Sequence, residues 1–360
     1  MSTSIASIRS DPRLLRYLPK IVYVLSGGAA KGFCYVGMLE ALERKGITPD
    51  LIVGTSAGSL IGALYSHFGD VDELCERIEK VFESDEFSLF ERKYFGGKKS
   101  VDGPPERAVQ HFFTLLSDDM RKKLHFGMSL MTSAMIAEKD SVPLFDRIFE
   151  GIAFETLKFP FASVAVDLSD GVPVVFAADG GQGRERSSRT IAGPEGLMRA
   201  VMASCAIPLV FPAVRIDSHS FVDGSVMANL PVREARALLP DQELLLVGFD
   251  VLSPVSHPEE KLSSVELALR LLDLATRSKQ VADRELVDVL FQPLNEDYRW
   301  SSFSEYEKFI EMGRAYMSVD RLAAFEAIYK EKCRANIRKD PNPFRRFFAA
   351  LTLDRLARKT

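Results

Sequence analysis

Residues 50–68 read DLIVGTSAGSLIGALYSHF, and how this stretch folds decides the architecture. A short apolar run, Leu51 to Val53, leads into Gly54-Thr55-Ser56-Ala57-Gly58, after which the apolar residues recur at helical spacing. The first pattern predicts a buried strand and the second a helix. With no linker between them the chain must turn sharply at Ser56, and a bulky side chain at either glycine would clash across the turn. Two readings are open. The small residues serve only a tight strand-to-helix turn, or they form a nucleophile elbow that presents the Ser56 hydroxyl outward.

The same grammar occurs just upstream. KIVYVL (20–25) reads as a buried strand, SGGAAKG (26–32) as a glycine-rich turn, and FCYVGMLEALERKG (33–46) as a helix closing on Gly46. Strand, turn and helix, repeated, predict a parallel sheet with right-handed crossovers. Residues 66–155 depart from this pattern and read as a largely helical insertion. Strands return at 161–168 and 172–178 around the turn SDG. The polar, glycine-rich 179–189 reads as a mobile surface loop. A helix follows through GLMRAVMASCA, then a hairpin with its tip near 218–220, an apolar strand at 243–252, and helices near 262–290 and 303–330. The expected fold is a three-layer α/β/α domain with a mostly parallel central sheet, a helical insertion and a helical C-terminal extension. Its boundaries are 15–330, with a basic tail at 331–360.

Composition narrows the function. Of 360 residues 46% are hydrophobic and 27% charged, and the net charge is −4, so no global basic field recruits nucleic acid. The four cysteines are scattered, with no zinc spacing, and read as reduced thiols; neither a metal nor a cofactor is predicted. The first twenty residues lack the apolar stretch of a secretory signal, and no run approaches the ~18–20 apolar residues of a membrane span. These features predict a cytoplasmic location, with any membrane contact peripheral.

The candidate chemistry centres on Ser56. At the start of a helix, the Ala57 N–H and the helix dipole can stabilise an oxyanion. Gly27-Gly28-Ala29-Ala30-Lys31-Gly32 fits neither nucleotide-binding glycine pattern. It reads either as a strand-to-helix turn or as a source of further oxyanion donors at Gly27, Gly28 and Ala29. Gly32, Gly54, Gly58 and Gly224 are read as supports of loop and elbow. Lys31 is either an anion contact or a solvated helix-start lysine. For the base, His257 is the only histidine late enough to follow a triad acid such as Asp223 or Asp250, but it lies in a Pro-rich loop. His219 sits at the hairpin tip, at the opposite end of a short strand from Asp223. Asp223, on a strand end and followed by Gly224, is the better candidate. Asp167 and Asp250 also fall at strand ends, without an evident partner.

These motifs together resemble the patatin-like phospholipase family, with its G-G-[GA]-x-[KR]-G loop, its G-x-S-x-G elbow and a distant D-G-[GA]. Here they are Gly27–Gly32, Gly54–Gly58 and Asp223 in FVDGSVMANLP, and ASCAIPLVFP (203–212) resembles the stretch that precedes the aspartate. The resemblance covers about residues 20–252. It implies a Ser56–Asp223 dyad without catalytic histidine, and fatty-acyl esters of phospholipids, lysophospholipids or acylglycerols as substrates. Two positions depart from the pattern. Ala29 replaces a third glycine and Ser225 the second glycine of D-G-G, where a positive φ would cost serine ~1 kcal/mol. An acyltransferase sharing the acyl-enzyme and a catalytically weak lipid-binding protein are the alternatives.

In the tail, Phe344, Phe347, Phe348, Leu351 and Leu356 recur at helical spacing, and residues 332–360 hold nine Lys/Arg against two Asp. Such a helix either lies on an anionic membrane or docks on the core with its arginines in water. Met128, Met131 and Met135 read as core packing, with a lid over an acyl pocket as the alternative, and 83–86 as a solvated acidic face.

Overall fold

The computed structural model describes residues 4–94, 134, 136–178, 188–189, 196–252, 264–294, 298 and 302–357. The strands are β1 (Lys20–Leu25), β2 (Leu51–Thr55), β3 (Phe161–Asp167), β4 (Val172–Ala177), β5 (Ser188–Arg189), β6 (Val214–Ile216), β7 (His219–Asp223), β8 (Leu244–Phe249) and β9 (Val289–Phe291). They form one sheet in the order β5-β4-β3-β2-β1-β8-β9, with β7 paired to β3 and β6. The pairs β1–β2, β1–β8, β2–β3 and β8–β9 are parallel, and β3–β4, β3–β7 and β6–β7 antiparallel. The mixed α/β fold with a mostly parallel centre is therefore present.

Because side chains alternate across a strand, Ile21, Tyr23 and Leu25 of β1 face one core while Val22 and Val24 face another. The larger core holds α1 (Ser4–Arg9), α2 (Cys34–Glu43), α3 (Ala57–Phe68), α4 (Val71–Phe82), α6 (Glu138–Ile148) and α7 (Gly196–Ser204). It also holds α11 (Tyr306–Tyr316), α12 (Val319–Lys339) and α13 (Pro343–Ala357). The smaller is covered by α8 (Ser225–Ala228) and α9 (Val232–Leu238), and α10 (Ser264–Arg284) packs on α8. Helix α5 (Asp85–Tyr94) follows α4.

Several expectations shift. The expected insertion contains α4, α5 and α6, while 95–133, Met135 and most of the polar loop at 179–189 lie outside the described residues. The helix expected at 303–330 is two helices, α11 and α12, separated at Ser318, whose side chain caps α12 by accepting from the Arg321 N–H at 3.3 Å. The expected boundary at 331 falls inside α12. Strand β9 overlaps the end of the range read as helix, is only three residues long and carries little periodicity of its own. The four cysteines are free thiols.

Candidate active site

Helix α3 begins at Ala57, directly after β2 ends at Thr55, so Ser56 alone makes the turn. Its φ of 52° and ψ of −122° lie where L-residues are strained, at a cost of about 1–3 kcal/mol. The surroundings hold it there. The Ser56 N–H donates to Ser204 Oγ at 2.9 Å, Ser204 Oγ donates to the Val164 carbonyl at 2.5 Å, and Cys205 Sγ lies 3.3 Å from the Ser56 carbonyl. The turn also needs its glycines, since a Cβ on Gly54 would stand 2.3 Å from the Gly58 carbonyl oxygen. One on Gly58 would stand 2.4 Å from that of Leu25, and one on Gly32 would meet the Ala57 Cβ at 2.5 Å.

The sheet brings Asp223 to this turn. One edge of β3 is shared by two strands running toward each other. β2 pairs with it up to Thr55 opposite Val164, and β7 arrives from the other end with Asp223 opposite Ala165. The last residues of β2 and β7 therefore meet beside successive residues of β3, with Ser56 and Gly224 as the next residues of their chains. A Cβ on Gly224 would lie 3.0 Å from Thr55 Cγ2 and 2.3 Å from the Val164 carbonyl oxygen, so the chain can pass only as glycine.

Asp223 is fully buried. Its Oδ1 accepts the Ser225 N–H at 2.8 Å, and Oδ2 makes no hydrogen bond of regular geometry among the described residues. Burial raises its pKa to about 6, the Ser56 hydroxyl and the Ser225 N–H and hydroxyl pulling it partway back. A carboxyl so tuned is a proton acceptor near neutral pH.

The glycine loop follows β1 at the same edge. Gly27 N–H, expected among the oxyanion donors, is instead donated to Asn229, to its carbonyl at 3.1 Å and its Oδ1 at 3.0 Å. Gly28 and Ala29 open a 3₁₀ turn over Ala29–Phe33, and Ala57 opens α3. The N–H groups of Gly28, Ala29 and Ala57 therefore have no acceptor within those turns. Ala29 has φ 49°, the positive φ that the motif raised as a condition at residue 225. Ser225 is instead the unstrained first residue of α8, downstream of Gly224 with φ −60°. Lys31 is buried rather than solvated.

His219 is the first residue of β7 and Asp223 its last, about 13 Å apart along a strand. The imidazole Nδ1 lies 2.7 Å from Oδ2 of the buried Asp167, with Asp170 alongside. This pair accounts for Asp167 without Ser56. Asp250 likewise has a structural partner, Arg284 Nε at 2.6 Å. His257 lies outside the described residues. A groove of about 790 Å³ between Lys20, Asp50, Phe161 and Leu239 opens at the other end of the strands, and neither Ser56 nor Asp223 lines it. Sequence reasoning missed Ser204 and Asn229 as supports, although both stand in the quoted stretches ASCAIPLVFP and VMANLP. It missed Gln280 entirely, for want of any local signal.

The chain is similar to several known proteins. The chain is 28% identical to patatin-like phospholipase domain-containing protein 6 of Homo sapiens over 229 residues, 63% of this chain and 13% of that protein. It is 23% identical to lysophospholipase NTE1 of Eremothecium gossypii over 328 residues, 84% of this chain and 18% of that one. The chain thus spans less than a fifth of the length of either relative. Among solved structures it aligns with human GIVD cytosolic phospholipase A2 at 13% identity and a TM-score of 0.44, over 92% of this chain and 63% of that one. The family model for patatin-like phospholipase matches residues 23–236, more than half of the sequence and the whole of the site, and the chain belongs to that family.

Proposed function

We propose that this chain is a lipid acyl hydrolase of phospholipase A or lysophospholipase type, with Ser56 as nucleophile and Asp223 as general base. The observation that carries the proposal is the head-on meeting of β2 and β7 along β3, which brings a strained serine to a buried carboxylate whose Oδ2 has no hydrogen bond of regular geometry among the described residues. Asp223 takes the Ser56 proton as Oγ attacks the ester carbonyl carbon. The N–H of Ala57, with those of Gly28 and Ala29, holds the tetrahedral oxyanion. Asp223 returns the proton to the departing alcohol, leaving an acyl-enzyme at Ser56. Water, deprotonated by Asp223, then attacks the acyl carbon, and its proton passes to Ser56 Oγ as the fatty acid departs. Lipid esters are the proposed substrates because relatives carry the names phospholipase and lysophospholipase.

None of the described helices is long and apolar enough to cross a membrane. The surface proposed to lie on an anionic bilayer is α13. Ala349, Thr352 and Leu353 dock it on the core, while Phe344, Phe347, Phe348 and Leu351 are all more than half exposed, beside exposed Arg345, Arg346 and Arg355. Leu356 packs against the core, and Arg358 and Lys359 lie outside the described residues. Helix α13 packs on α1 and α12, near the strand starts, so this contact would tether the chain by the end away from Ser56.

The test is fatty-acid release from phospholipids, lysophospholipids, acylglycerols and a short p-nitrophenyl ester by wild type, Ser56→Ala and Asp223→Ala. Release by wild type that disappears in both folded variants is expected. Full activity in Asp223→Ala would sink the dyad. For the tether, replacing Phe344, Phe347 and Phe348 together by serine should abolish sedimentation with anionic vesicles and leave short-ester turnover intact.

A further inference from the structure

The Gly27 N–H is the fixed point of the glycine loop, and Asn229 holds it twice, through its backbone carbonyl at 3.1 Å and through its side chain. The N–H can only donate, so the Asn229 carboxamide must present Oδ1 to it, at 3.0 Å. That orientation turns Nδ2 the other way, where it donates to Gln280 Oε1 at 2.6 Å. Both side chains are buried. Loop and amide are in direct contact, since a Cβ on Gly27 would stand 2.5 Å from Asn229 Oδ1. Gln280 therefore fixes which way the Asn229 amide faces, and the amide, together with the Asn229 carbonyl, orients the Gly27 peptide.

Gln280 is itself held. It shares one face of α10 with Asp283 and Arg284, three and four residues on. Asp283 accepts from Arg233 Nε at 3.1 Å, just beyond Asn229 in the chain, and Arg284 Nε reaches Asp250 at 2.6 Å. Asp250 follows β8 and accepts the Leu252 N–H at 2.7 Å, and between them the Val251 side chain packs against Gly28. The last turns of α10 thus grip the glycine loop from two sides, through Asn229 at Gly27 and through the Asp250 turn at Gly28.

We infer that Asn229 and Gln280 are positioning residues for the reaction: they aim the oxyanion donors of the glycine loop without touching substrate. The inference rests on the Ser56 reading proposed above. It accounts for a buried amide pair that neither nucleophile nor base requires. Displacing a single oxyanion donor is worth about a hundredfold or more in turnover, and a misplacement of about 1 Å is enough to lose it.

The experiment uses the full chain with a short p-nitrophenyl ester and, separately, the rate of covalent labelling by a fluorophosphonate. Asn229→Ala should lower kcat about a hundredfold with little change in KM, slow labelling in parallel, and leave the acid limb of the pH profile in place because Asp223 is untouched. Gln280→Met, which keeps the volume but loses the acceptor, should cost about tenfold. Gln280→Glu restores an oxygen facing Asn229 Nδ2 and should return kcat to within about threefold of wild type. A folded Asn229→Ala with unchanged kcat overturns the inference, and so does a Gln280→Glu as impaired as Gln280→Met. Should Asn229→Ala fail to fold, the contrast between the two Gln280 variants decides alone. Ser56→Ala separates the levels: turnover or labelling that survives there breaks the nucleophile reading and this inference with it. Loss in Ser56→Ala beside normal rates in the Asn229 and Gln280 variants breaks the inference only.

Discussion

At the amino-terminal ends of the strands, charges are met by charges. Asp50, leading into β2, receives Arg9 at 2.9 Å, Lys20 at 3.4 Å and the Ile21 N–H at 2.8 Å. Asp288, before β9, receives Lys332 at 2.9 Å, and Tyr17 donates to Asp340 at 2.6 Å. At the carboxyl-terminal ends the terms differ. Ser56 and Ala29 are held at positive φ, and Asp223 keeps a buried oxygen without a regular hydrogen bond. One end of the same sheet carries these charge pairs, while the other holds strained backbone and a buried carboxyl that lower stability. Strain and unmet polarity of this kind persist where the surrounding structure over-determines them.

The sharpest way to break that contrast is to remove the buried carboxylate. Asp223→Asn should lower turnover about a thousandfold and at the same time make the protein more stable. The sign follows from the raised pKa, about 6 against 3.8 for the ordinary group. Below pH 4 both folded and unfolded wild type carry the proton and no penalty exists. Between about pH 4 and pH 6 the unfolded chain ionises this group while the folded protein keeps the proton, so stability falls by up to about 3 kcal/mol and levels off once the folded carboxyl ionises above about 6. Denaturant titrations should therefore show the variant ahead at pH 8 and the gap closing toward pH 4. The same ionisation makes wild-type kcat/KM climb to a plateau as pH passes about 6. A variant less stable than wild type at pH 8 would mean that Asp223 is structural.

The opposite end is tested by Asp50→Ala. It strips three partners at once and should cost about 2 kcal/mol, with kcat on a short ester unchanged. A fall in kcat at constant stability would erase the distinction between the two ends.

How much of this was legible follows from where each signal resides. The switch of apolar period at Ser56 is local, and so are the glycines that the turn requires, so the sharp turn, the first strands and the first helices could be read directly. Sharing of one β3 edge by β2 and β7 joins residues near 55, 165 and 223, and no local pattern states it. Its place at a strand end before a glycine made Asp223 the better candidate base, and the resemblance tied it to Ser56 as a dyad. Strand β9 is too short to show alternation, and the break between α11 and α12 hangs on one serine cap. Gln280 lies 51 residues from Asn229 on a helix that reads as ordinary amphipathic sequence, so its grip on the glycine loop is visible only in three dimensions.

The finest contrast lies within the carboxyl edge, between the two positions that depart from the family pattern. From the motif alone, Ser225 is the residue suspected of strain. The backbone instead places a positive φ at Ala29 and starts α8 with Ser225. Glycine at 29 would remove the left-handed penalty of about 1–2 kcal/mol but add unfolded-state entropy, leaving a net gain of about 0.5–1 kcal/mol. Glycine at 225 relieves nothing and weakens a helix start, at a cost of about 0.5–1 kcal/mol. The two substitutions are the same chemical step toward the family pattern, and denaturant midpoints should move in opposite directions. If Ser225→Gly proved the stabilising one, the strain would belong to the aspartate turn, and the glycine loop would be the relaxed half of the site.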